Sequence, residues 1–229
     1  MIPVSAPPRV RTRLRNAPDG PVPVVHHGPD AVYVDVDGWC VGVVGFRATA
    51  VPCALRTSLS TLPEITGAGV RGGVLHLDDV PLVIGRLADV RVPGLSGRTA
   101  GAQPTAARVA DLVGRGDGLT PYGDDVLCGW LAVHRAAGIE TSELDAAVRA
   151  NLGQTTLLSA TLLDCAIHGE VIPEFAAYLS EVGTPLEAEA AARLSAVGHS
   201  SGRGLLEGAQ GALAAMGLEA GPSPTGIVA

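Results

Sequence analysis

Two glycine- and hydroxyl-rich turns hold the residues of this chain that could do chemistry. The first turn is Gly118-Leu119-Thr120-Pro121-Tyr122-Gly123-Asp124-Asp125. Thr120 suits the N-cap of a helix and Pro121 its first helical position. Neighbouring residues on a helix point about 100° apart, so Asp124 and Asp125 cannot easily both face water. We therefore expect one of the two carboxylates to point inward, toward an arginine, a metal ion or a substrate.

The second turn is Gly198-His199-Ser200-Ser201-Gly202, followed by Arg203. It fits the Gly-x-Ser-x-Gly pattern of a nucleophile elbow, but that elbow needs a preceding strand and a later histidine. Here an alanine-rich helical stretch precedes the turn, and His199 is the last histidine. We predict instead a helix N-terminus that binds phosphate or carboxylate through backbone N–H groups, hydroxyls and Arg203. A tight cap between packed helices, with a structural His199, explains the turn equally well.

A third helix start is Gln154-Thr155-Thr156-Leu157-Leu158-Ser159. Its hydroxyl groups share one side of the helix, because residues three and four apart are neighbours. Either threonine as an N-cap is a sufficient explanation. The alternative is that Ser159 and one threonine line the same pocket as the two turns.

The composition excludes several kinds of function. The chain has 229 residues, and all 16 residues counted as Lys or Arg are arginine. Without lysine there is no Walker-A phosphate site, no Schiff base with pyridoxal phosphate and no lysine nucleophile. A formal net charge of -7 and 3% aromatic residues argue against nucleic acid as a partner. Anion recognition must then use arginine, hydroxyls or backbone N–H groups.

The sequence also favours a cytoplasmic protein. It lacks the apolar block of a signal peptide near Met1, and no apolar run approaches the roughly 20 residues that span a bilayer. The scattered cysteines lack the paired spacing of metal ligands and are expected to be buried small hydrophobes. They are Cys40, Cys53, Cys128 and Cys165. Alternate arginines from Arg9 to Arg15 predict a solvated N-terminal arm, which could touch an anion.

Helices and strands must position these turns. The sequence pattern changes near residue 104, from one typical of strands to one typical of helices. Residues 21–100 are predicted to be β-rich. Alternating patterns predict one hairpin from 31–36 and 39–45 around Asp37-Gly38, and another from 74–77 and 82–87 around Asp78-Asp79. Residues 51–66 are expected to hold a short helix or irregular turn, and 93–103 a connection.

From residue 104 onward the apolar period becomes helical. Helices are predicted at 104–114, 121–137, 142–150, 154–168, 173–181, 186–197 and 202–217. Strands followed by helices predict an α+β fold rather than alternating βαβ units. We expect an N-terminal arm at 1–20, one α+β domain at 21–217 and a tail at 218–229. In the last helix, Gly204, Gly208 and Gly211 form a small-residue face that another backbone can approach closely.

Taken together, the three motifs resemble the AllH-like family of oxamate carbamoyltransferase subunits, which are associated with anaerobic allantoin breakdown in purine catabolism. The resemblance covers roughly residues 20–217, and its specific part is 114–208. It implies carbamoyl transfer between oxalurate and phosphate, giving oxamate and carbamoyl phosphate, by an assembly of several subunits. Such a transferase needs no redox cofactor and mostly positions small anions.

The resemblance implies roles for the motif residues. His199 would be a general acid or polariser, and Asp124 or Asp125 a base, an orienting group or a ligand of Mg²⁺. The residues expected to bind substrate are Thr120, Gly123, Thr155, Thr156, Ser159, Ser200, Ser201, Gly202 and Arg203.

The chain also departs from the family pattern. Tyr122 replaces the usual serine, Arg203-Gly204 the usual Trp-Asp, and Gln154 a frequent arginine. The alternatives to a transferase are a non-catalytic anion-binding or scaffold subunit, and a small-molecule amide hydrolase or lyase using the aspartates and His199.

Overall fold

The structure, a computed structural model, describes residues 1–95, 101 and 103–217. Contacts between Cα atoms divide the chain into two compact units, Met1–Val90 and Arg91–Ala229. The first unit contains the strands and one helix, and the second contains the remaining helices. The predicted α+β class, with a β-rich part followed by a helical part, is confirmed.

The first unit is built on a nine-stranded sheet. Its strands are β1 (Ile2–Ala6), β2 (Gly20–Val22), β3 (Val24–His27), β4 (Ala31–Val36), β5 (Trp39–Val44), β6 (Ala54–Thr57), β7 (Ala68–Arg71), β8 (Val74–Leu77) and β9 (Val80–Leu87). Their order in the sheet is β2-β7-β8-β9-β1-β6-β5-β4-β3. The two edge strands, β2 and β3, are separated in sequence only by Pro23, so the sheet curls until its edges approach. The result is barrel-like.

Both predicted hairpins are present. The turn between β4 and β5 has φ angles of 52° at Asp37 and 74° at Gly38. A type I′ turn requires positive φ at both central residues, so the turn prediction is confirmed. The turn between β8 and β9 has a positive φ of 50° at Asp78, and β9 begins two residues earlier than predicted.

The first twenty residues do not form the expected solvated arm. β1 lies inside the sheet, parallel to β9 and antiparallel to β6. Helix α1 (Pro8–Asn16) follows directly and buries Val10 and Leu14, which lie one helical turn apart. Burying that pair fixes the helix against the sheet and leaves the arginines on its other sides.

The expected helix or irregular turn at 51–66 is likewise replaced in part by β6. This strand pairs with β5 in parallel and with β1 in antiparallel orientation. Backbone pairing on both sides outweighs the local prolines that suggested a turn.

The second unit contains all seven predicted helices, each with ends within about three residues of the prediction. They are α2 (Ala106–Leu112), α3 (Tyr122–Ala136), α4 (Ser142–Asn151), α5 (Leu157–Ile167), α6 (Pro173–Glu181), α7 (Glu187–Ser195) and α8 (Ser201–Ala215). A short 3-10 helix, Leu152–Gln154, precedes α5. The predicted tail at 218–229 and part of the connection at 93–103 lie outside the described residues.

Helices α3 and α8 pack backbone against backbone. A Cβ atom on Gly208 would clash with the carbonyl oxygen of Val126, and one on Gly129 with the carbonyl oxygen of Leu205. A Cβ on Gly211 would lie 2.8 Å from the ring of Trp130. The predicted small-residue face of the last helix is therefore confirmed, and it positions the start of α8 next to the start of α3.

On their other sides these helices enclose an apolar core. It is formed by residues of α2 to α5 such as Val109, Leu127, Leu131, Val148 and Leu163. Within the described part of the chain, no helix has the length and apolar character needed to cross a membrane.

Candidate functional site

The carboxylate of Asp124 joins the starts of α3 and α5. Its side chain is 1% exposed. Oδ1 accepts a hydrogen bond of 2.8 Å from the backbone N–H of Gly114. Oδ2 accepts hydrogen bonds from the hydroxyls of Thr155 (2.5 Å) and Ser159 (2.6 Å). The prediction that an aspartate points inward is confirmed, and the partners of Asp124 are hydroxyls and a backbone amide.

Thr156 holds the start of α5 in place. As the N-cap it accepts a hydrogen bond of 3.1 Å from the backbone N–H of Ser159, which confirms one of the two predicted caps. Its hydroxyl also donates to the carbonyl oxygen of Leu119 at 2.5 Å. This contact ties the third motif to the first turn.

The predicted cap of α3 is shifted by one residue. The helix begins at Tyr122, and its N-cap is Pro121, whose ψ of 140° is not helical. Thr120 is therefore neither the N-cap nor bound to the first turn of α3. Its hydroxyl lies instead 2.8 Å from the hydroxyl of Ser201, so it connects the first turn to the start of α8.

Asp125 is also buried, with 4% of its surface exposed. Burial raises the pKa of this carboxyl group to about 7; a hydrogen bond from Ser201 opposes the rise and the neighbouring charge of Asp124 adds to it. Within the described residues, its buried Oδ2 atom has no hydrogen-bond partner. The hydroxyl of Ser201 therefore lies between the carboxyl group of Asp125 and the hydroxyl of Thr120.

Close packing of α8 produces the burial of Asp125. A Cβ atom on Gly204 would lie 2.8 Å from the Cβ of Asp125 and 3.1 Å from the carbonyl oxygen of Tyr122. Only glycine at this position lets α8 cover the carboxyl group so closely.

The other residues of the second turn lie outside this network. His199 and Arg203 are exposed, and the Arg203 guanidinium donates to the carbonyl oxygen of His199 at 3.2 Å. Ser200 is the N-cap of α8 by position but makes no side-chain cap bond. Helix α7 precedes the turn, which agrees with the rejection of a nucleophile elbow. The structure thus groups the aspartates with Thr120, Thr155, Ser159 and Ser201, and does not bring His199 to them.

Sequence reasoning missed two polar connections. The Tyr122 hydroxyl donates to Glu207 at 2.5 Å, and this hydrogen bond is the main reason that the pKa of Tyr122 rises to about 12. The amide of Gly114 was not assigned as a partner of Asp124. Its signal was the glycine density before the first turn, since Gly114 has a φ of 73° and a Cβ there would clash with the carbonyl oxygen of Gln154.

The geometry does not fit a metal ion well. No group of three or more His, Cys, Asp or Glu residues in the described part of the chain could hold one. Both oxygens of Asp124 already accept hydrogen bonds, so a Mg²⁺ ion would find mainly the Oδ2 atom of Asp125.

The whole hydrogen-bond network, from Gly114 to Glu207, lies in one segment that a family model recognises. Residues 112–213 match the family of the oxamate carbamoyltransferase subunit AllH. The resemblance predicted from the three motifs is confirmed over this AllH segment. Its start precedes the first turn and its end lies within α8, so it contains both aspartates and all three helix starts. A search of curated proteins and a search of solved structures find no match.

Proposed function

We propose that the AllH segment is the substrate site of a carbamoyltransferase-like protein, either a subunit or a stand-alone relative. Its substrate would be a small carboxylate or amide of the oxamate or oxalurate type, with carbamoyl phosphate or phosphate as the second reactant. The description of the matched family is consistent with a carbamoyltransferase-related role. The observation on which the proposal depends most is the buried, unpartnered Oδ2 atom of Asp125.

An unpartnered oxygen in a buried position is costly. Leaving a buried acceptor without a donor costs about 1–3 kcal/mol, and folded proteins satisfy most such groups. An N–H group of a bound amide or carbamoyl compound would remove that cost. The side chain of Asp125 therefore supports a ligand that donates a hydrogen bond beside Ser201.

The pKa of about 7 also suits proton transfer. A general acid–base group works best when its pKa lies near the operating pH. In the proposed reaction the amide nitrogen of oxamate attacks the carbonyl carbon of carbamoyl phosphate. The new C–N bond forms, the C–O bond to phosphate breaks, and ionised Asp125 accepts the proton that the nitrogen loses. The proton then passes to the departing phosphate, and the reverse sequence describes phosphorolysis of oxalurate.

The anionic groups of these substrates would lie at helix N-termini. α3 and α8 each contain 15 residues, and the positive ends of their dipoles face the same network. Ser200, Ser201 and Arg203 would add donors without any lysine. Asp124, with three hydrogen bonds, is a positioning residue in this scheme. The role of His199 as a polariser stays a prediction.

The decisive test is turnover by the purified chain with oxamate and carbamoyl phosphate, followed through oxalurate formation. Background hydrolysis of carbamoyl phosphate is subtracted. We expect Asp125→Asn to lower kcat at least about 100-fold, the lower bound for loss of a general base. Asp117→Asn is the matched control, because Asp117 is an exposed acid of the same loop. Equal rates for both variants would refute the assigned role of Asp125.

A non-catalytic subunit is the second candidate function. The observation that favours it is that Asp124 is fully paired while His199 and Arg203 lie outside the network. This protein would bind the anions without converting them. It should still be stabilised by oxamate, oxalurate, carbamoyl phosphate or phosphate, by about 2.7 kcal/mol at 100 times the Kd, and should show no turnover alone. A lack of thermal stabilisation by any of these ligands would count against both functions.

A further inference from the structure

A cleft of about 370 Å³ follows strand β9 in the first unit. One wall is formed by Arg11, Leu14 and Arg15 of α1, and another by the turn at Gly72-Gly73. Its floor is the run of residues 82–87 of β9. Because the cleft follows six consecutive residues of a strand, its floor has the extended path that a peptide strand would follow.

The cleft lies where β9 has a strand on one side only. β1 pairs with β9 from Leu82 to Leu87. On the other side β8 pairs only with Val80 and Pro81, and within the described residues no strand pairs with 82–87 there. Both glycines of the turn have positive φ, 57° at Gly72 and 76° at Gly73, where the chain passes from β7 into β8. A strand edge without a pairing strand presents alternate N–H and C=O groups, and this edge of β9 lines the cleft.

All the charged residues that line the cleft are positively charged. Three of its lining residues are the arginines Arg11, Arg15 and Arg86, and none is acidic. The chain as a whole has a formal net charge of -7, so this concentration of positive charge is local. Guanidinium groups pair with carboxylates through two parallel hydrogen bonds. The exposed side chain of Leu87 adds apolar surface at one end of the cleft.

We propose that this cleft binds an acidic, extended segment of a partner protein, which adds a strand to the open edge of β9. Its backbone bonds to residues 82–87, and its carboxylates face Arg11, Arg15 and Arg86. Six residues of strand span about 20 Å, so the segment is about six residues long. Backbone hydrogen bonds provide affinity in this mode of binding, and side chains provide specificity. The inference is independent of the function proposed for the AllH segment.

The probe for the test is a capped, fluorescently labelled hexapeptide of alternating glutamate and valine, with a lysine-valine peptide as its opposite. We expect the full chain to bind only the acidic peptide, measured by fluorescence anisotropy. Arg15→Glu and Arg86→Glu should each weaken binding at least tenfold. Arg47→Glu changes the net charge equally at an exposed site outside the cleft, and should leave the Kd within twofold. Equal weakening by Arg47→Glu would overturn the proposal.

Amide hydrogen exchange distinguishes an added strand from simple attraction between charges. Alternate amides of residues 82–87 should become protected when the acidic peptide binds, and Arg86→Gln should reduce this protection while the circular dichroism spectrum stays unchanged. The proposal is wrong if the peptide does not bind. It is also wrong if the amides stay unprotected and inorganic phosphate displaces the peptide, since the cleft would then be a site for small anions. If neither the acidic peptide nor inorganic phosphate binds, the arginines at this edge serve only to prevent the sheet from pairing with another chain.

Discussion

The hydroxyl of Ser159 lies 2.6 Å from Oδ2 of Asp124, so a buried hydrogen bond binds the start of α5 to the start of α3. Removing Asp124 leaves the buried hydroxyl of Ser159 without this acceptor, and removing Ser159 takes one of three donors from Asp124, so the two losses are interdependent. We predict that Asp124→Ala and Ser159→Ala show a coupling free energy of about 0.5–3 kcal/mol in a double-mutant cycle. Urea unfolding of the four proteins measures it.

The control is a second double-mutant cycle, in which the Ser180→Ala variant is used in place of Ser159→Ala. The hydroxyl of Ser180 bonds to the carbonyl oxygen of Ala176 on another helix of the same unit. The combination of Asp124→Ala with Ser180→Ala should be additive within about 0.5 kcal/mol. Additivity in the Ser159 cycle as well would mean that the hydrogen bond to Asp124 contributes nothing to stability.

The raised pKa of Asp125 makes the free energy of unfolding fall as the pH rises. Most carboxyl groups have the opposite effect, because folding lowers their pKa. The pKa of Asp125 rises from 3.8 to about 7, so folding favours the neutral form. The stabilising contribution is complete below pH 3.8 and is lost as the pH rises through 7. We predict that the free energy of unfolding of the natural protein falls relative to Asp125→Asn across this range. At 1.36 kcal/mol per pKa unit, the relative loss is about 4 kcal/mol.

Urea unfolding of the two proteins at intervals from pH 4 to pH 9 measures this difference. Asparagine does not titrate, and the other carboxyl groups are common to both proteins. The difference should therefore change up to about pH 7 and stay constant above it. A difference that is constant from pH 4 to pH 9 would show that Asp125 is ionised throughout.

Ser201 should lower the pKa of Asp125, because its hydroxyl bonds to the ionised carboxyl group. We predict that Ser201→Ala raises this pKa further, by about one unit if the bond contributes about 1.5 kcal/mol. Titration of the aspartate carboxyl carbons by NMR measures the shift directly. Ser200→Ala is the control, since Ser200 makes no side-chain cap bond. An identical pKa in both variants would remove Ser201 from the network.

The contact of α3 with α8 leaves no space for a methyl group at Gly208, where a Cβ would clash with the backbone of α3. We predict that Gly208→Ala lowers the free energy of unfolding by about 1–3 kcal/mol, although alanine favours helix more than glycine does. Gly153→Ala is the matched control, because nothing lies within 4 Å of a Cβ there. Its effect should stay within about 0.5 kcal/mol. Equal stability of both variants would show that the helices can separate without cost.

The helical unit could be predicted from the sequence because its signals are local. The apolar period, together with a cap such as Thr156, fixes each helix from residues close to it in the chain. β1 and β6 were missed because their stability comes from pairing with distant strands. α1 was missed because only Val10 and Leu14 mark its buried side among four arginines.

Sequence reasoning placed the two aspartates and the hydroxyls of three helix starts in one candidate site, but it also included His199 and Arg203, which are exposed and lie outside the network. The position of Asp124 and Asp125 at the start of an apolar helix predicted that one of them points inward, whereas both are buried. That Thr120 would contact Ser201 could not be predicted, because 81 residues separate them and no local preference links the two turns. The exposure of His199 also depends on tertiary packing.

The glycine contacts between α3 and α8 have a mechanical consequence. Side chains at an ordinary helix contact can change rotamer and absorb a small shift, whereas two touching backbones have no such freedom. Gly204 touches Asp125, and Gly211 touches Trp130 roughly 10 Å further along the same helix, at a rise of 1.5 Å per residue. The first turns of α3 and α8 are therefore held in a closely fixed position relative to each other, and Asp125 lies at this contact.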